Sequence, residues 1–419
     1  MNHWKTQIDR ILTDSMTVIA DRFERGGYPF IDTKFDIVSG RDFGENDEPF
    51  RRKECVYSWI QGRGLESLAK HVRYFRANGN PELAARLENM LRIVAAEMER
   101  LREINHGQLP FAMTPEGKTF FQQEPSAGNY SDSFYSKGIF AAGTVLNNES
   151  YRNAGKALFH KVLQSIREQT FRTDQQSFDP KNKVEYVPGK FPQGPRMIAL
   201  GGLADMLGAE PEDRQWADTA EEFIRFILDN HVNHGQHAEV QMWDFVESLD
   251  AQGRCWKDGE MVFSDPGHAL EFVGLAGKCL LLLQKQGRKA GLIADAGKVL
   301  PEVFNHVFDY GFNPAAGGIC KGYDLTARKS SNSDMPWWNL PETVRAGAQL
   351  LRLYPGCQTA AIASRTGECM QAFMQGFLQK NGFGCQTRDA EGKIIQVIPA
   401  VSDADPGYHT NLSLMDVLG

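Results

Sequence analysis

Residues 59–104 read WIQGRGLESLAKHVRYFRANGNPELAARLENMLRIVAAEMERLREI, and the way this stretch is interrupted decides the architecture. Apolar side chains recur at helical spacing on both sides of Asn78-Gly79-Asn80-Pro81. The glycine ends one helix, and the proline, whose fixed φ suits a first turn, begins the next. Gly208-Ala209-Glu210-Pro211 does the same before a helix beginning near Glu212. The helical period extends to twelve segments, at roughly 3–23, 51–78, 80–105, 130–148, 152–172, 191–207, 213–231, 266–286, 290–309, 334–353, 357–380 and 405–418.

The connections alternate in length. Those near 79, 150, 210, 288 and 355 are short, whereas 24–50, 106–129, 173–190, 232–265, 310–333 and 381–404 are long. The long ones hold LPFAMTPEGKTFF, WDFVESLDAQGRCW, GGICKGYD and TRDAEGKIIQVI, alternating runs around glycine turns that read as short β-hairpins. Helix, tight turn, helix, decorated loop thus repeats about six times. Each helical hairpin buries its apolar face only against its neighbours. The repeat either closes into an α/α toroid or stays an open solenoid for protein binding. Six pairs suffice to close, no terminal pair resembles a polar cap, and no proline- or serine-rich linker divides the chain. One closed all-α barrel over residues 1–419 is therefore expected, although the length alone suggests two or three domains. Long loops emerging on one side would make that rim a mouth.

The 419 residues carry 46 Lys and Arg against 53 Asp and Glu, a net charge of −7. This balance offers no basic field for nucleic acid or an anionic membrane. The start, MNHWKTQIDRILTD, lacks the apolar core of a signal peptide. The most apolar stretch, Ala269 to Leu283, is interrupted by Glu271 and Lys278 and is shorter than a bilayer span. Seven scattered cysteines without a CxxC read as reduced thiols. The expectation is a soluble, cytoplasmic protein.

Candidate chemistry begins in DPGHALEFVGLAGKCLLLL, where His268 and Glu271 stand three apart at a helix start and share a face. A carboxylate beside an imidazole fixes its tautomer and raises its basicity, as a general base requires. The plain alternative is a capping histidine with an exposed glutamate. His409, in DADPGYHTNLSLMDVL, again follows a Pro-Gly step near a helix start. In a closed barrel the eighth and twelfth helices could bring the two histidines face to face. Arg63 follows Trp59 by one helical turn, and a guanidinium on an aromatic-flanked face suits an oxyanion or sugar hydroxyl; a surface pairing with Glu66 or Glu54 is the alternative. In SDMPWWNLPETVRAGAQLL, Trp337 and Trp338 precede Glu342. On a helix at most one of two adjacent tryptophans can lie over a pocket. Aromatic faces beside carboxylates suit carbohydrate, although large rings are more often core. His231, His234 and His237 cannot converge from one helix, and Gly291 to Lys298 has one residue too many for a phosphate loop. No G-x-G-x-x-G follows a strand, so a nicotinamide cofactor is not expected.

Together WIQGR (59–63), PFAMTPEGK (110–118), FYSKGIFAAG (134–143), PRMIALGGLADML (195–207), PGHALEF (266–272), PWWNLPET (336–343) and GYHT (407–410) resemble the N-acylglucosamine 2-epimerase family over nearly the whole chain. The resemblance implies an (α/α)6 barrel and a sugar 2-epimerase or aldose–ketose isomerase. It implies paired acid/base histidines at His268 and His409, a histidine-orienting glutamate at Glu271 and an enediolate-facing arginine at Arg63. Trp338 and Glu342 fall in the cavity-lining segment, Trp59 in the arginine's segment, and Glu247 resembles the glutamate ahead of the family's hairpin. Members that epimerise cellobiose or form ketoses carry a further histidine where this chain has Ile198. N-acylhexosamine epimerases carry an arginine where it has Leu412. The expected reaction is C2 epimerisation of an open-chain sugar resembling N-acetylglucosamine or N-acetylmannosamine. Ketose formation and, on facing carboxylates among Glu247, Glu271, Glu342 and Asp132, glycoside hydrolysis are the alternatives. No metal or cofactor is expected; the only partner expected is the sugar substrate, with a homodimer implied by likeness alone.

Overall fold

Among the described residues, five of the twelve α-helices are apolar or buried nearly all round, six bury only one stripe, and the last is a short helix of six residues; this difference sorts the longer ones into two layers. In the computed structural model, which describes residues 2–179, 181, 184–356, 358–398, 401 and 403–419, they are α1 (Lys5–Gly26), α2 (Ser58–Ala77), α3 (Pro81–Ile104), α4 (Tyr130–Val145), α5 (Glu149–Arg167), α6 (Gly194–Ala209), α7 (Arg214–Asn230), α8 (Pro266–Lys285), α9 (Ala290–Gly311), α10 (Asn339–Leu353), α11 (Thr359–Ala372) and α12 (Ser413–Leu418). The even-numbered helices pack in order α2, α4, α6, α8, α10, α12, and the turn Tyr408–Leu412 before α12 returns to α2, closing the ring. The odd-numbered helices lie outside them. The result is an (α/α)6 barrel.

Local sequence explains the tight places. The turn between α2 and α3 uses Gly79 at φ 80°, and the Asn80 side chain caps α3 by accepting from the Leu83 N–H. Inner helices meet backbone to backbone at Gly62 and Gly138: a β-carbon on Gly138 would lie 2.2 Å from the Gly62 carbonyl oxygen. α2 and α4 could not approach this closely with any other residue there.

Several expected helix starts are strands instead. Val56–Tyr57 pairs with Ala112–Met113, Phe191–Pro192 with Ser248–Leu249, and Met335–Pro336 with Thr387–Arg388. Each pair joins the long loops ahead of two successive inner helices, so these loops are knitted together on one rim. The backbone of 51–57 and 334–338, expected to be helical, is used in or beside these ladders, and α10 begins only after Trp338. The expected short hairpins also appear, as bridges between Met113 and Thr119, Leu249 and Cys255, and Arg388 and Ile394. A four-stranded sheet (257–258, 261–264, 322–324 and 329–332) extends the rim beside α8.

α8 reaches the length and apolar character of a membrane span, but 78% of that window is buried within the barrel. The six described cysteines are buried and unpaired. Gly291 to Lys298 lies inside α9, so no phosphate loop forms there.

Candidate active site

Two Asp-Pro-Gly turns build the site. Asp265 caps α8, its Oδ1 accepting from the backbone N–H of Gly267 (3.1 Å) and His268 (3.3 Å). Asp405 caps the last turn in the same manner: its Oδ1 accepts from Tyr408 (2.8 Å) and His409 (3.3 Å), and its Oδ2 from Thr410 (3.0 Å). A carboxylate on unpaired first-turn N–H groups fixes the direction in which the following side chain leaves the helix. Both histidines are thereby aimed inward, from different helices.

Trp338 is where they meet. Its ring centroid lies 5.5 Å from that of His268 and 5.4 Å from that of His409, at interplanar angles of 30° and 34°. The two imidazoles, 141 positions apart in the chain, thus both contact one indole. Because Trp337 and Trp338 lie ahead of α10 rather than within it, both reach the site, contrary to the helical expectation. Trp337 meets His409 edge-on at 6.3 Å, and its Nε1–H donates to Thr410 Oγ1 (3.2 Å).

Each imidazole has a carboxylate at Nδ1, but for His268 it is not the expected one. His268 Nδ1 donates to Glu247 Oε1 at 3.0 Å, with Asp265 Oδ2 at 3.3 Å. Glu271, expected to orient His268 from the same helix face, instead stands beside Glu342 and His409: the three offer ligand-type atoms within 4.8 Å of one another. A loop carboxylate approaching from across the chain aligns with Nδ1, and the i+3 residue does not. His409 Nδ1 donates to Glu342 Oε1 at 3.0 Å. Among the described residues neither histidine has a hydrogen-bond partner at Nε2, so that nitrogen is left for another molecule.

The electrostatic settings of the two rings are opposite. Burial pulls His268 down, but Asp265 and Glu247 outweigh it and raise its pKa to about 9, with Lys321 opposing. Burial, reinforced by the charge of Arg63, lowers His409 to about 3. Near neutrality His268 is an imidazolium and His409 a neutral imidazole with a free Nε2 lone pair.

Arg63 is buried (8% exposed) and forms no ion pair with Glu66 or Glu54 among the described residues. Its guanidinium sits against the rings of Phe134 (4.1 Å), Trp59 (5.2 Å) and Tyr408 (5.3 Å), with its Nε unpartnered. Glu66 instead pairs with Lys137 (3.2 Å) and Lys70 deeper in the barrel. Trp59 is packed edge-on to Phe111 and Tyr130, and its Nε1–H donates to Asp174 (3.3 Å). It reaches the site by backing Arg63.

Other residues join the site unforeseen: Asp265, Lys321 (2.6 Å from Asp265 and 5.3 Å over the Trp338 ring), Tyr408 and Asp405. The Asp before Pro-Gly was a readable cap signal in both cases; Lys321, a lone lysine in GGICKGYD, had none. His231, His234 and His237 each bond a different backbone carbonyl and do not converge. Asp132 is held by Gln108 (3.0 Å) beside the Leu109 N–H, so it belongs to a loop anchor.

The barrel thus brings an inward histidine pair together with a buried arginine. The sequence pattern of the N-acylglucosamine 2-epimerase (GlcNAc 2-epimerase) family matches residues 79–410. The chain belongs to that family and is accordingly a sugar epimerase or isomerase. Its fold is shared with a D-mannose isomerase (TM-score 0.70, 13% identity, covering 99% of this chain and 97% of that one) and a sugar epimerase from a ruminal bacterium (0.72, 12%, 99% and 98%). It is also shared with the cellobiose 2-epimerase of Bacillus thermoamylovorans (0.72, 10%, 99% of both chains). At these identities the likeness is one of fold. No curated protein sequence matches the chain.

Proposed function

We propose that this protein interconverts the C2 epimers of an open-chain sugar, of the N-acetylglucosamine and N-acetylmannosamine kind, by proton transfer between His268 and His409. The observation that carries the reading is the pair of imidazoles gathered against Trp338, each held at Nδ1 by a carboxylate. The hydrogen on a carbon beside a carbonyl is acidic, and its removal gives an enediolate or, with nitrogen at C2, its amino counterpart. Neutral His409 takes the proton through Nε2, and charged His268 delivers one to the opposite face of the same carbon. The reverse reaction exchanges the roles. Arg63, with an unpartnered Nε and a ring of aromatics around it, faces the developing oxyanion. The indole of Trp338 gives the C–H face of the sugar a surface to lie on.

The carboxylates support this chemistry over hydrolysis, since Glu247 and Glu342 are committed to imidazoles and Glu342 also to Arg345. The proposal needs no metal or nicotinamide, makes the one barrel the whole catalytic unit and places it in the cytoplasm. An N-acyl nitrogen at C2 blocks simple ketose formation, because the oxygen that must become the carbonyl is missing. Ketose formation from mannose is the second reading. It is favoured by Leu412, which is buried among Trp59, Phe134 and Tyr408 where N-acylhexosamine epimerases resemble one another in having an arginine.

The test is an NMR time course in deuterated water with N-acetylmannosamine, mannose and cellobiose. Epimerisation of N-acetylmannosamine with deuterium entering C2 is expected. Turnover without exchange would remove the proton-transfer mechanism, and conversion of mannose to a ketose would install the second reading. Arg63→Ala should lower kcat about 10²–10³-fold.

A further inference from the structure

Glu342 has a second attachment that the reaction as written does not use. Its Oε1 accepts from His409, while its Oε2 accepts from Arg345 Nη1 at 2.7 Å, one turn along α10. Arg345 in turn sets its Nε 3.1 Å from Asp416 Oδ2 on α12, and Lys278 of α8 holds the same oxygen at 3.0 Å. A chain of alternating charge therefore runs from His409 into the barrel wall across three inner helices. Glu342 is fully buried and Arg345 is 4% exposed.

We infer that Arg345 is a positioning residue for His409: it holds the Glu342 carboxylate charged and in place, so that His409 keeps its proton on Nδ1 and presents a bare Nε2 to the substrate. The inference rests on the epimerase reading for its purpose, but not for its test.

The reason is a competition at one carboxyl group. Burial drives Glu342 toward its neutral form and raises its pKa to about 7, while Arg345 opposes that rise. The other groups around Glu342 are Glu271 from α8, Arg63 from α2, and Asp405, Tyr408, His409, Ser413 and Asp416 from the final turn and α12. Glu271, Asp405 and Asp416 all disfavour a second negative charge, and the guanidinium of Arg63 is held against Phe134, Trp59 and Tyr408. Arg345 is the cation in direct contact. Without its charge Glu342 would be protonated at neutral pH and would donate to Nδ1 rather than accept from it. The imidazole proton would then sit on Nε2, and His409 could not act as a base. Asp416, anchored by Lys278, keeps the guanidinium from swinging away from Glu342.

The experiment uses the full-length protein labelled with ¹⁵N-histidine, with His409→Asn identifying the His409 signals, so no substrate is needed. In the parent at pH 8, above the value of about 7 at which Glu342 takes up its proton, His409 should show a protonated Nδ1 and an unprotonated Nε2. In Arg345→Gln, which keeps a hydrogen-bond donor and drops the charge, the pattern should still be reversed at pH 8 and return only as pH rises further. Its kcat/KM at pH 7 should fall about ten- to hundredfold, with the acid limb of the profile moved upward and KM little changed. Arg345→Lys, which restores charge, should keep the parental tautomer and most of the activity. A parental tautomer and an unmoved acid limb in Arg345→Gln would overturn the inference. So would a loss in Arg345→Lys as deep as that in Arg345→Gln, or a parent with its proton on Nε2; the lysine variant remains decisive if the glutamine variant fails to fold. Absence of C2 exchange in the parent would instead strike the epimerase reading and leave the tautomer result standing.

Discussion

Asp265-Pro266-Gly267-His268 and Asp405-Pro406-Gly407-Tyr408-His409 are nearly the same device, used twice. In both, an aspartate caps the turn and a histidine is aimed at Trp338. The first histidine stands at the mouth, with 31% of its side chain exposed, and has two carboxylates at Nδ1 and no arginine in contact. The second is deeper, with one carboxylate that it shares with Arg345, and it feels the charge of Arg63. One ring is therefore held charged and the other neutral. A nearly identical local motif thus holds an imidazolium in one place and a neutral imidazole in the other, because protonation is set by the neighbours and not by the turn.

The strongest way to break this comparison is to remove either ring. His268→Asn and His409→Asn should each lower epimerisation about 10²–10⁴-fold, the usual worth of a general acid or base. The two losses should differ in kind. Each variant should still exchange the C2 hydrogen of the one epimer that its remaining histidine faces, and not of the other. Equal exchange from both epimers in either variant would mean that the rings do not work on opposite faces.

The capping aspartates should separate on stability. Asp265 also holds Lys321, itself only 7% exposed, so Asp265→Asn strands a buried ammonium and should cost about 3–5 kcal/mol in denaturant unfolding. Asp405→Asn loses mainly cap bonds and should cost about 1 kcal/mol. Similar costs at the two positions would show that the turns differ less than their surroundings suggest.

The smallest effect sharpens the acid. The proton on His268 is retained because the folded value, about 9, lies above the ordinary histidine value of about 6.5. Activity that depends on this proton is complete at neutral pH and falls as pH rises through about 9. Glu247→Gln removes one of the two raising charges, so the alkaline limb of kcat/KM should move down toward 6.5, with little loss at pH 6. An alkaline limb that stays near 9 would assign it to another group.

Much of this arrangement was legible along the chain. Asn78-Gly79-Asn80-Pro81 and the alternation of tight and long connections gave six helical pairs, because helical periodicity and its interruptions are local properties. The repeated Pro-Gly-histidine step marked both imidazoles, and WIQGR marked Arg63. The partners of those groups were not legible. Glu271 shares a helix face with His268, yet Glu247, on a loop 21 positions earlier, takes the Nδ1 bond. Trp338 was expected within a helix and lies before one, because Met335–Pro336 is committed to a ladder with Thr387–Arg388. Arg345 sits in plain view one turn after Glu342, but nothing local marks it as more than a solvated arginine.

By itself, then, the sequence determined which residues could do chemistry and the helical order in which they are delivered to a rim, since turns, caps and apolar periods act over a few residues. Closure of the ring decided the rest: which carboxylate meets which imidazole, and which ring is charged. Those outcomes depend on distances of a few ångströms between segments far apart in the chain and on how much water is excluded between them, and no local pattern carries that information.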